Sequence, residues 1–210
     1  MPVDTPLYPV NLSVAGRRCL VVGGGAVAGQ KVRGLVAAGA EVTVVAPEIA
    51  EEIAALGVRC EWRPYRRPEA GDYRLVVVAT GDPEVNQQVY DDAEAAGVWI
   101  NSADDPARCS FTLPAVVRQG RLTVTVATGG HSPALAAWLR DRLEAELGPE
   151  YDRLIGVLAD VRSEIQTTGR ATESLDWRGA LQSGILELVR AGRIEEAKER
   201  LRACLSSSSD

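Results

Sequence analysis

A glycine-rich turn between an apolar run and a helical pattern constrains the fold of this chain more than any other feature. The apolar run ends at Val22, and residues 26–38 have the pattern of a helix. The intervening sequence fits G-x-G-x-x-A, with Gly23, Gly25 and Ala28 in the small positions. In such a loop the first glycine makes the turn, the second lets a pyrophosphate approach the backbone, and the third position packs helix on strand.

The helix that follows this turn predicts an anion site. At its start, Ala26 and Val27 offer backbone N–H groups and a partial positive charge. This arrangement favours binding of a dinucleotide; a plain tight turn without a ligand is the alternative. A ribose-binding carboxylate is expected about 20 residues further on. Glu48 lies past the predicted strand end there, and the next arginine is Arg59, so spacing alone does not distinguish NAD from NADP.

Apolar runs alternate with helical patterns through the first half of the chain. Strands are predicted over residues 18–22, 42–46, 58–62, 75–79 and 98–101, and helices over 26–38, 49–56 and 83–96. Strands separated by helices of roughly ten residues are typical of parallel sheets with helices on both faces. The fold class is therefore α/β, with a Rossmann-like parallel sheet whose strand at 58–62 lies near an edge.

The pattern changes after Asn101. A polar loop precedes predicted strands over 111–113 and 122–127, and these are followed by a loop over 128–132 and a helix over 133–147. The remaining sequence has helical periodicity as far as Cys204, apart from a gap at 167–174. We therefore expect a Rossmann-like domain over residues 1–112, a separate segment over 113–147 and a helical C-terminal region over 148–210.

Composition excludes several classes of protein. With 46% hydrophobic and 25% charged residues, the chain is typical of globular proteins with a buried core. Its longest apolar runs fall far below the ~20 residues of a membrane span, and it opens without a signal-peptide pattern, so we expect a cytoplasmic protein with no membrane partner. A net charge of −6 argues against general nucleic-acid binding. Four cysteines without a CxxC pair and a single histidine predict no resident metal.

Two adjacent carboxylates, Asp104 and Asp105, lie in the loop that leaves the carboxyl end of the strand containing Asn101. Ligands bind at this edge of open parallel sheets. Partial burial of two neighbouring carboxylates raises the pKa of one of them, which suits a general base near neutral pH. The alternative, which spacing by itself slightly favours, is an Asx-turn in which Asp105 precedes Pro106 and Asp104 is solvated.

A second glycine loop, Thr128-Gly129-Gly130-His131-Ser132, leads into the helix that begins at Pro133. Its backbone amides can bind an anion such as a carboxylate; a helix-entry turn without a ligand is the alternative. His131 is a candidate proton carrier, although a surface-loop histidine is the ordinary interpretation. The chain also has 21 arginines and two lysines, which genome composition explains and which would also suit a polycarboxylate ligand.

Six blocks of sequence follow one another in a recognisable order. They are Tyr8 to Leu12, Cys19 to Ala28, Gly39 to Pro47, Ala79 to Asn86, Asn101 to Phe111, and Gly129 to Ala136. In this combination, residues 8–147 resemble the precorrin-2 dehydrogenase family, which comprises stand-alone enzymes of siroheme biosynthesis and the N-terminal module of siroheme synthase. The helical tail is similar only in general character.

The resemblance implies NAD-dependent oxidation of precorrin-2, a tetrapyrrole with eight carboxylate side chains, to sirohydrochlorin. It places the family's essential aspartate at Asp104, as the general base that removes a proton while hydride passes to the nicotinamide. The candidate NAD-binding residues are Gly23, Gly25, Ala26, Val27, Ala46, Pro47 and Thr80. The candidate substrate-binding residues are Asn101, Thr128, Gly129, Gly130, His131 and Ser132.

The resemblance also implies a homodimer, with a central dimerisation segment at residues 113–147 and a helical part that covers the tetrapyrrole. Some members of this family insert Fe²⁺ into sirohydrochlorin, and the same aspartate serves both activities. The sequence departs from the family at Gln30, Gly81 and Thr128, where Arg, Asp and Ser are usual. The serine's own contacts are therefore not expected here.

Two further hypotheses compete with this one. A regulatory domain that senses NAD or NADH without turnover needs the first glycine loop but neither Asp104 nor the second loop. A short-chain-type reductase needs a Tyr-x-x-x-Lys pair. Lys31 and Lys198 are the only lysines and neither follows a tyrosine at that spacing, which argues against this class.

Overall fold

The computed structural model describes residues 6–103 and 105–207. Its contacts divide the chain into two compact units. The first comprises Met1–Leu113 together with Gly129–His131, and the second comprises Pro114–Thr128 together with Ser132–Asp210.

A five-stranded parallel sheet forms the centre of the first unit. Its strands are β1 (Arg18–Val22), β2 (Glu41–Ala46), β3 (Arg59–Trp62), β4 (Leu75–Val78) and β5 (Trp99–Ser102), in the spatial order β3-β2-β1-β4-β5. The helices of this unit are α1 (Ala26–Ala37), α2 (Glu51–Ala54) and α3 (Pro83–Ala95). The strand order reverses direction between β1 and β4, as in doubly wound sheets, which confirms the predicted Rossmann-like class.

Both faces of this sheet are buried, which explains why its strands are continuous apolar runs rather than alternating ones. On one face Val21, Val44 and Val77 pack with Val32 of α1 and Ile53 of α2. On the opposite face Val89 and Ala93 of α3 and the buried Ala70 pack against the strand residues Leu20, Val22, Val45, Val76, Val78 and Ile100. The five central valines Val21, Val22, Val44, Val45 and Val76 are at most 2% exposed.

Most predicted elements lie within one or two residues of their observed bounds, and the largest differences are at the second helix and after β5. The predicted helix over 49–56 is shortened to the four residues of α2, because the backbone of Ala50 is non-helical and its amide donates to the carbonyl of Gly24, while residues 55–57 form a turn. The strand over 58–62 lies at the sheet edge, as predicted. The predicted strand over 111–113 is wrong: Phe111 is irregular, its side chain packs on the core, and its carbonyl accepts a hydrogen bond from Asn101.

The second unit contains an antiparallel hairpin and a group of helices. The hairpin is β6 (Ala115–Gln119) and β7 (Leu122–Val126). The helices are α4 (Pro133–Glu146), α5 (Glu150–Thr167), α6 (Trp177–Ala180), α7 (Leu186–Arg190) and α8 (Ile194–Ser207), with a π-helical turn at Leu181–Ile185. Val157, Val161, Ile185, Leu201 and Leu205 form the centre of its core. Of the helices described, none is long and apolar enough to cross a bilayer.

The hairpin turn is held against the first turn of α5 by Asp152. The Asp152 carboxylate accepts hydrogen bonds from the backbone amide of Arg121 at 2.8 Å and from the Arg121 Nε at 2.9 Å. A Cβ at Gly120 would lie 2.3 Å from the Asp152 carboxyl carbon, so the contact needs glycine there. The Arg121 guanidinium and amide lower the pKa of Asp152.

We expect Asp152→Asn to lower the melting temperature at pH 7, and the difference from wild type to shrink as the pH falls below about 4. The reason is that the folded-state pKa of Asp152 is lowered. The ionised carboxylate therefore stabilises the fold above its unfolded pKa, and this contribution is lost as the pH falls through the folded value. Thermal melts across pH measure it, with Asp141→Asn as the control because Asp141 pairs with its neighbour Arg140. Equal melting temperatures at pH 7 would contradict the assignment.

Candidate functional site

The carboxyl ends of the parallel strands meet at one edge of the sheet. β1 ends at Val22, β2 at Ala46, β4 at Val78 and β5 at Ser102. The strand order reverses between β1 and β4, so a crevice is expected at this edge next to the β1 turn. Most of the candidate residues from the sequence follow one of these four strand ends.

Gly23 makes the turn that leaves β1. Its φ is +127°, a conformation that favours glycine, and its amide donates to the carbonyl of Val45 at 3.0 Å. A Cβ at this position would lie 2.3 Å from the backbone oxygen of Ala79, just beyond β4. Gly23 therefore fixes the turn between two strand ends and sets the position of the residues that follow it.

Gly24 packs on the segment that follows β2. A Cβ there would lie 1.9 Å from the carbonyl oxygen of Glu48, and the amide of Ala50 donates to the Gly24 carbonyl at 2.9 Å. The sequence motif leaves this position unspecified, so the requirement for glycine at Gly24 was missed. The run of three consecutive glycines was the available signal. The motif requires only Gly23 and Gly25, so a glycine between them indicates a further constraint at position 24.

Gly25, in contrast, faces open space. Among the described residues no heavy atom lies within 4 Å of the position a Cβ would occupy there. Gly25 is the N-cap of the twelve-residue helix α1; within the described chain it has no side-chain cap, and the first turn carries no acidic residue. Gly25, Ala26 and Val27 are exposed, whereas Ala28 is fully buried. The helix start is thus open to an anion, and these residues fit a dinucleotide pyrophosphate.

The remaining candidate cofactor residues lie at the neighbouring strand ends. Ala46 is the buried last residue of β2, and Pro47 after it is exposed. Thr80 is half-buried beyond β4, with its hydroxyl 2.6 Å from Oδ1 of Asn86 and accepting a hydrogen bond from the amide of Asp82 at 3.1 Å. The start of α3 therefore holds Thr80 at the edge of the crevice.

The loop after β5 is closed at its base by buried polar contacts. Asn101 is only 7% exposed, and its side-chain amide donates to the carbonyl of Phe111 at 3.0 Å. The amide of Ser102 donates to the Cys109 sulfur at 3.2 Å, and this sulfur lies 3.3 Å from the carbonyl oxygen of Asp105. Burial raises the pKa of the Cys109 thiol, which stays protonated and able to donate. The role of Cys109 in this loop is not predicted from the sequence, because a solitary cysteine belongs to no motif.

Asp105 is committed to the structure of this loop. One carboxylate oxygen accepts from the amide of Ala107 at 2.9 Å, and the other accepts from the guanidinium of Arg108 at 2.5 Å. Arg108 also donates from Nε to Gln87 of α3 at 2.8 Å. Asp105 thus forms the Asx-turn that was the alternative prediction for this position. Asp104 lies outside the described residues.

The second glycine loop divides between the two units. Gly129 and Gly130 both have positive φ, at 58° and 80°, and His131 is exposed. These three residues belong to the first unit by their contacts, whereas Thr128 and Ser132 belong to the second. The Thr128 hydroxyl accepts from the amide of Ser132 at 3.2 Å. The Ser132 hydroxyl in turn caps α4 by accepting from the amide of Leu135, as the sequence predicts.

Two further features delimit the site. A cavity of about 380 Å³ lies at the opposite edge of the sheet, where the strands begin, and is lined in part by Arg18, Glu41 and Arg59. It is therefore separate from the edge at which the strands end. Within residues 6–103 and 105–207, no three His, Cys, Asp or Glu side chains are grouped to hold a metal ion.

Comparison with known proteins relates this geometry to one family. Residues 10–115 match the profile of a family described as NAD(P)-binding, and residues 119–146 match the profile of the central region of sirohaem biosynthesis proteins. The siroheme synthase of Nitrosococcus oceani is 40% identical over 203 residues, which are 94% of this chain and 43% of that protein. The siroheme synthase of Nitrosomonas europaea is 36% identical over 209 residues, or 96% of this chain and 44% of that protein.

The fold is also similar to a solved structure. SirC, a precorrin-2 dehydrogenase, superposes with a TM-score of 0.70 at 26% identity, covering 94% of this chain and all of that one. The chain spans less than half the length of the two siroheme synthases it matches. The chain belongs to the family described as NAD(P)-binding, and it is similar in sequence to siroheme synthases and in fold to a precorrin-2 dehydrogenase.

Proposed function

We propose that this chain oxidises precorrin-2 to sirohydrochlorin with NAD as the hydride acceptor. The observation that carries the proposal is the open, uncapped start of α1 at Gly25, at the edge of the sheet where β5 also ends. Its similarity to siroheme synthases and to the precorrin-2 dehydrogenase SirC, over 94% of the chain in each case, supports the choice of substrate.

The proposal assigns the nucleotide to the strand ends of the first unit. The backbone of Gly25, Ala26 and Val27 would hold the pyrophosphate, Ala46 and Pro47 would lie at the adenosine ribose, and Thr80 would contact the nucleotide beyond β4. When bound, NAD supplies a hydride acceptor. NAD rather than NADP is favoured because the exposed residue after Pro47 is the carboxylate Glu48, which would repel a 2′-phosphate.

Asp104 is the proposed general base. In the overall reaction precorrin-2 loses a hydride to NAD and a proton to the Asp104 carboxylate, giving sirohydrochlorin and NADH, and the proton then passes to solvent. The assignment is supported by Asp105, whose carboxylate oxygens already accept from Ala107 and Arg108. Because the Asp105 carboxylate is used in holding the loop, the role of general base is assigned to the adjacent Asp104.

The proposal assigns the tetrapyrrole carboxylates to Asn101 and to the second glycine loop, residues 128–132. Asn101 would contribute mainly by holding the loop, since its amide already donates to Phe111. His131 is exposed and would contact a carboxylate of the substrate there.

We also propose that the chain forms a homodimer through residues 113–147. Support comes from large apolar side chains that this segment leaves exposed in the single chain: Leu113 is 49%, Leu135 46% and Trp138 52% exposed. Apolar surface of this kind is typical of protein–protein contacts. Insertion of Fe²⁺ as a second substrate would depend on Asp104 as well, and sirohydrochlorin supplied with Fe²⁺ tests for that activity.

A coupled assay tests the proposed function. The full chain, supplied with precorrin-2 and NAD, should form NADH and sirohydrochlorin in equal amounts, followed by their absorbance. NAD or NADH binding without turnover would contradict the proposal and support the nucleotide-sensing alternative. Omitting precorrin-2 is the control that separates substrate oxidation from background reduction of NAD.

A further inference from the structure

An arginine lies beside the strand end where the proposed site holds the adenosine ribose. Arg63 directly follows β3, and its backbone amide donates to the carbonyl of Ala46, the last residue of β2, at 3.0 Å. In Rossmann-like sites an arginine near the end of the second strand accommodates the 2′-phosphate of NADP. By its position, Arg63 is therefore the natural candidate for that contact.

Every N–H donor of this guanidinium already has an acceptor within the protein. Nε donates to Glu61 at 2.9 Å, and one Nη donates to Glu69 at 2.8 Å and to the carbonyl of Pro64 at 3.0 Å. The other Nη donates to Glu69 at 2.6 Å and also to Glu61. An arginine has five such donors, and five contacts use them.

The two carboxylates also neutralise the charge of Arg63. The three side chains are only 16–21% exposed, so solvent screens their interaction incompletely. Glu61 is further paired with Arg59, which is 75% exposed, at 2.8 Å, and the Arg66 amide donates to Glu69 at 2.7 Å. Burial raises the pKa of Glu69, but the hydrogen bonds from Arg63 and the Arg66 amide outweigh it, so the pKa is lowered and this carboxylate stays ionised.

We propose that Glu61 and Glu69 determine specificity for NAD over NADP by withholding the guanidinium of Arg63 from a 2′-phosphate. This inference rests on the proposed nucleotide site. A 2′-phosphate would meet a guanidinium without spare donors and two carboxylates of its own sign. The 2′-hydroxyl of NAD carries no charge and needs no cation. The cluster of Arg63, Glu61 and Glu69 therefore discriminates between the two nucleotides.

The test is a nucleotide titration of the full chain. In Glu61→Gln/Glu69→Gln, the glutamines keep the shape of the cluster but release the positive charge of Arg63. We expect the ratio of the NADPH and NADH dissociation constants, measured by nucleotide fluorescence, to fall at least about tenfold from wild type. Adding Arg63→Gln to this variant removes the released cation and should raise the ratio again, toward but not fully to the wild-type value, because the two repelling carboxylates are still absent.

Two comparisons keep the test specific. Glu196→Gln removes a carboxylate from an exposed ion pair with Arg193 in the helical unit and should leave the ratio unchanged. The single variant Glu69→Gln retains the ion pair of Glu61 with Arg63, so the ratio should fall by a smaller factor than in the double variant. It provides a test if the double variant does not fold.

The possible results separate the two proposals. If wild type binds NADH and the ratio stays the same in both the single and the double variant, the specificity inference is overturned while the proposed function stands. A wild-type preference for NADPH also overturns the inference. If wild type binds neither nucleotide, the proposed function itself is contradicted.

Discussion

Asp104→Asn should nearly abolish the formation of NADH from precorrin-2 and NAD while leaving the binding of NADH unchanged. An asparagine has about the size of an aspartate but cannot accept the substrate proton, and removal of a general base typically costs about 10² to 10⁴ in rate. The coupled assay measures the loss, and a fluorescence titration with NADH measures binding.

The comparison for this variant is Asp91→Asn, a change of the same kind at an exposed position on α3. It should turn over at the wild-type rate. Thermal melts of both variants test whether the fold is retained, and we expect melting temperatures close to that of wild type. Normal turnover by Asp104→Asn would remove the catalytic assignment, whereas weaker NADH binding with unchanged turnover at saturating nucleotide would move Asp104 to the cofactor site.

Gly25→Ala should weaken NADH binding, whereas Gly23→Ala should destabilise the fold, although the two glycines lie only two residues apart. At Gly25 an added Cβ meets open space among the described residues, so the variant should fold normally. It would obstruct the approach of a pyrophosphate to the backbone, and we expect NADH affinity to fall at least about tenfold, or about 1.4 kcal/mol.

At Gly23 the same change acts on the fold. The φ of +127° is unfavourable for alanine, and its Cβ would lie 2.3 Å from the Ala79 oxygen. Strain and overpacking of this kind cost about 1–3 kcal/mol each, so Gly23→Ala should melt well below wild type. Melting curves together with NADH titrations distinguish the two cases. An unchanged NADH affinity in Gly25→Ala would show that the α1 start does not hold the pyrophosphate.

Much of the fold follows from local patterns in the sequence. The valine-rich runs at β1, β2 and β4 are continuous because both faces of the sheet are covered, and glycine or proline marks most element ends. Ser132 and Pro133 predict the start of α4 correctly, since a cap and a first-turn proline act within one turn of helix.

The errors and omissions arise where residues far apart in the chain meet. Phe111 was assigned to a strand by its local character, but its carbonyl and ring are held by Asn101 and by the core. Cys109 contacts Ser102 and Asp105 through a loop closure that no spacing rule describes. Arg63 follows β3, yet its importance comes from its backbone contact with the end of β2.

The contact between Gly24 and the backbone at Glu48 limits how this protein can change. Since the glycine turn after β1 rests directly on the segment that leaves β2, an insertion or deletion in either would displace both at once. A lineage that switched its coenzyme would therefore do so by exchanging side chains around an unaltered main chain. If the nucleotide binds as proposed, this contact would also hold the residues for its pyrophosphate and for its adenosine ribose in position before binding, so that little ordering of these segments would be needed.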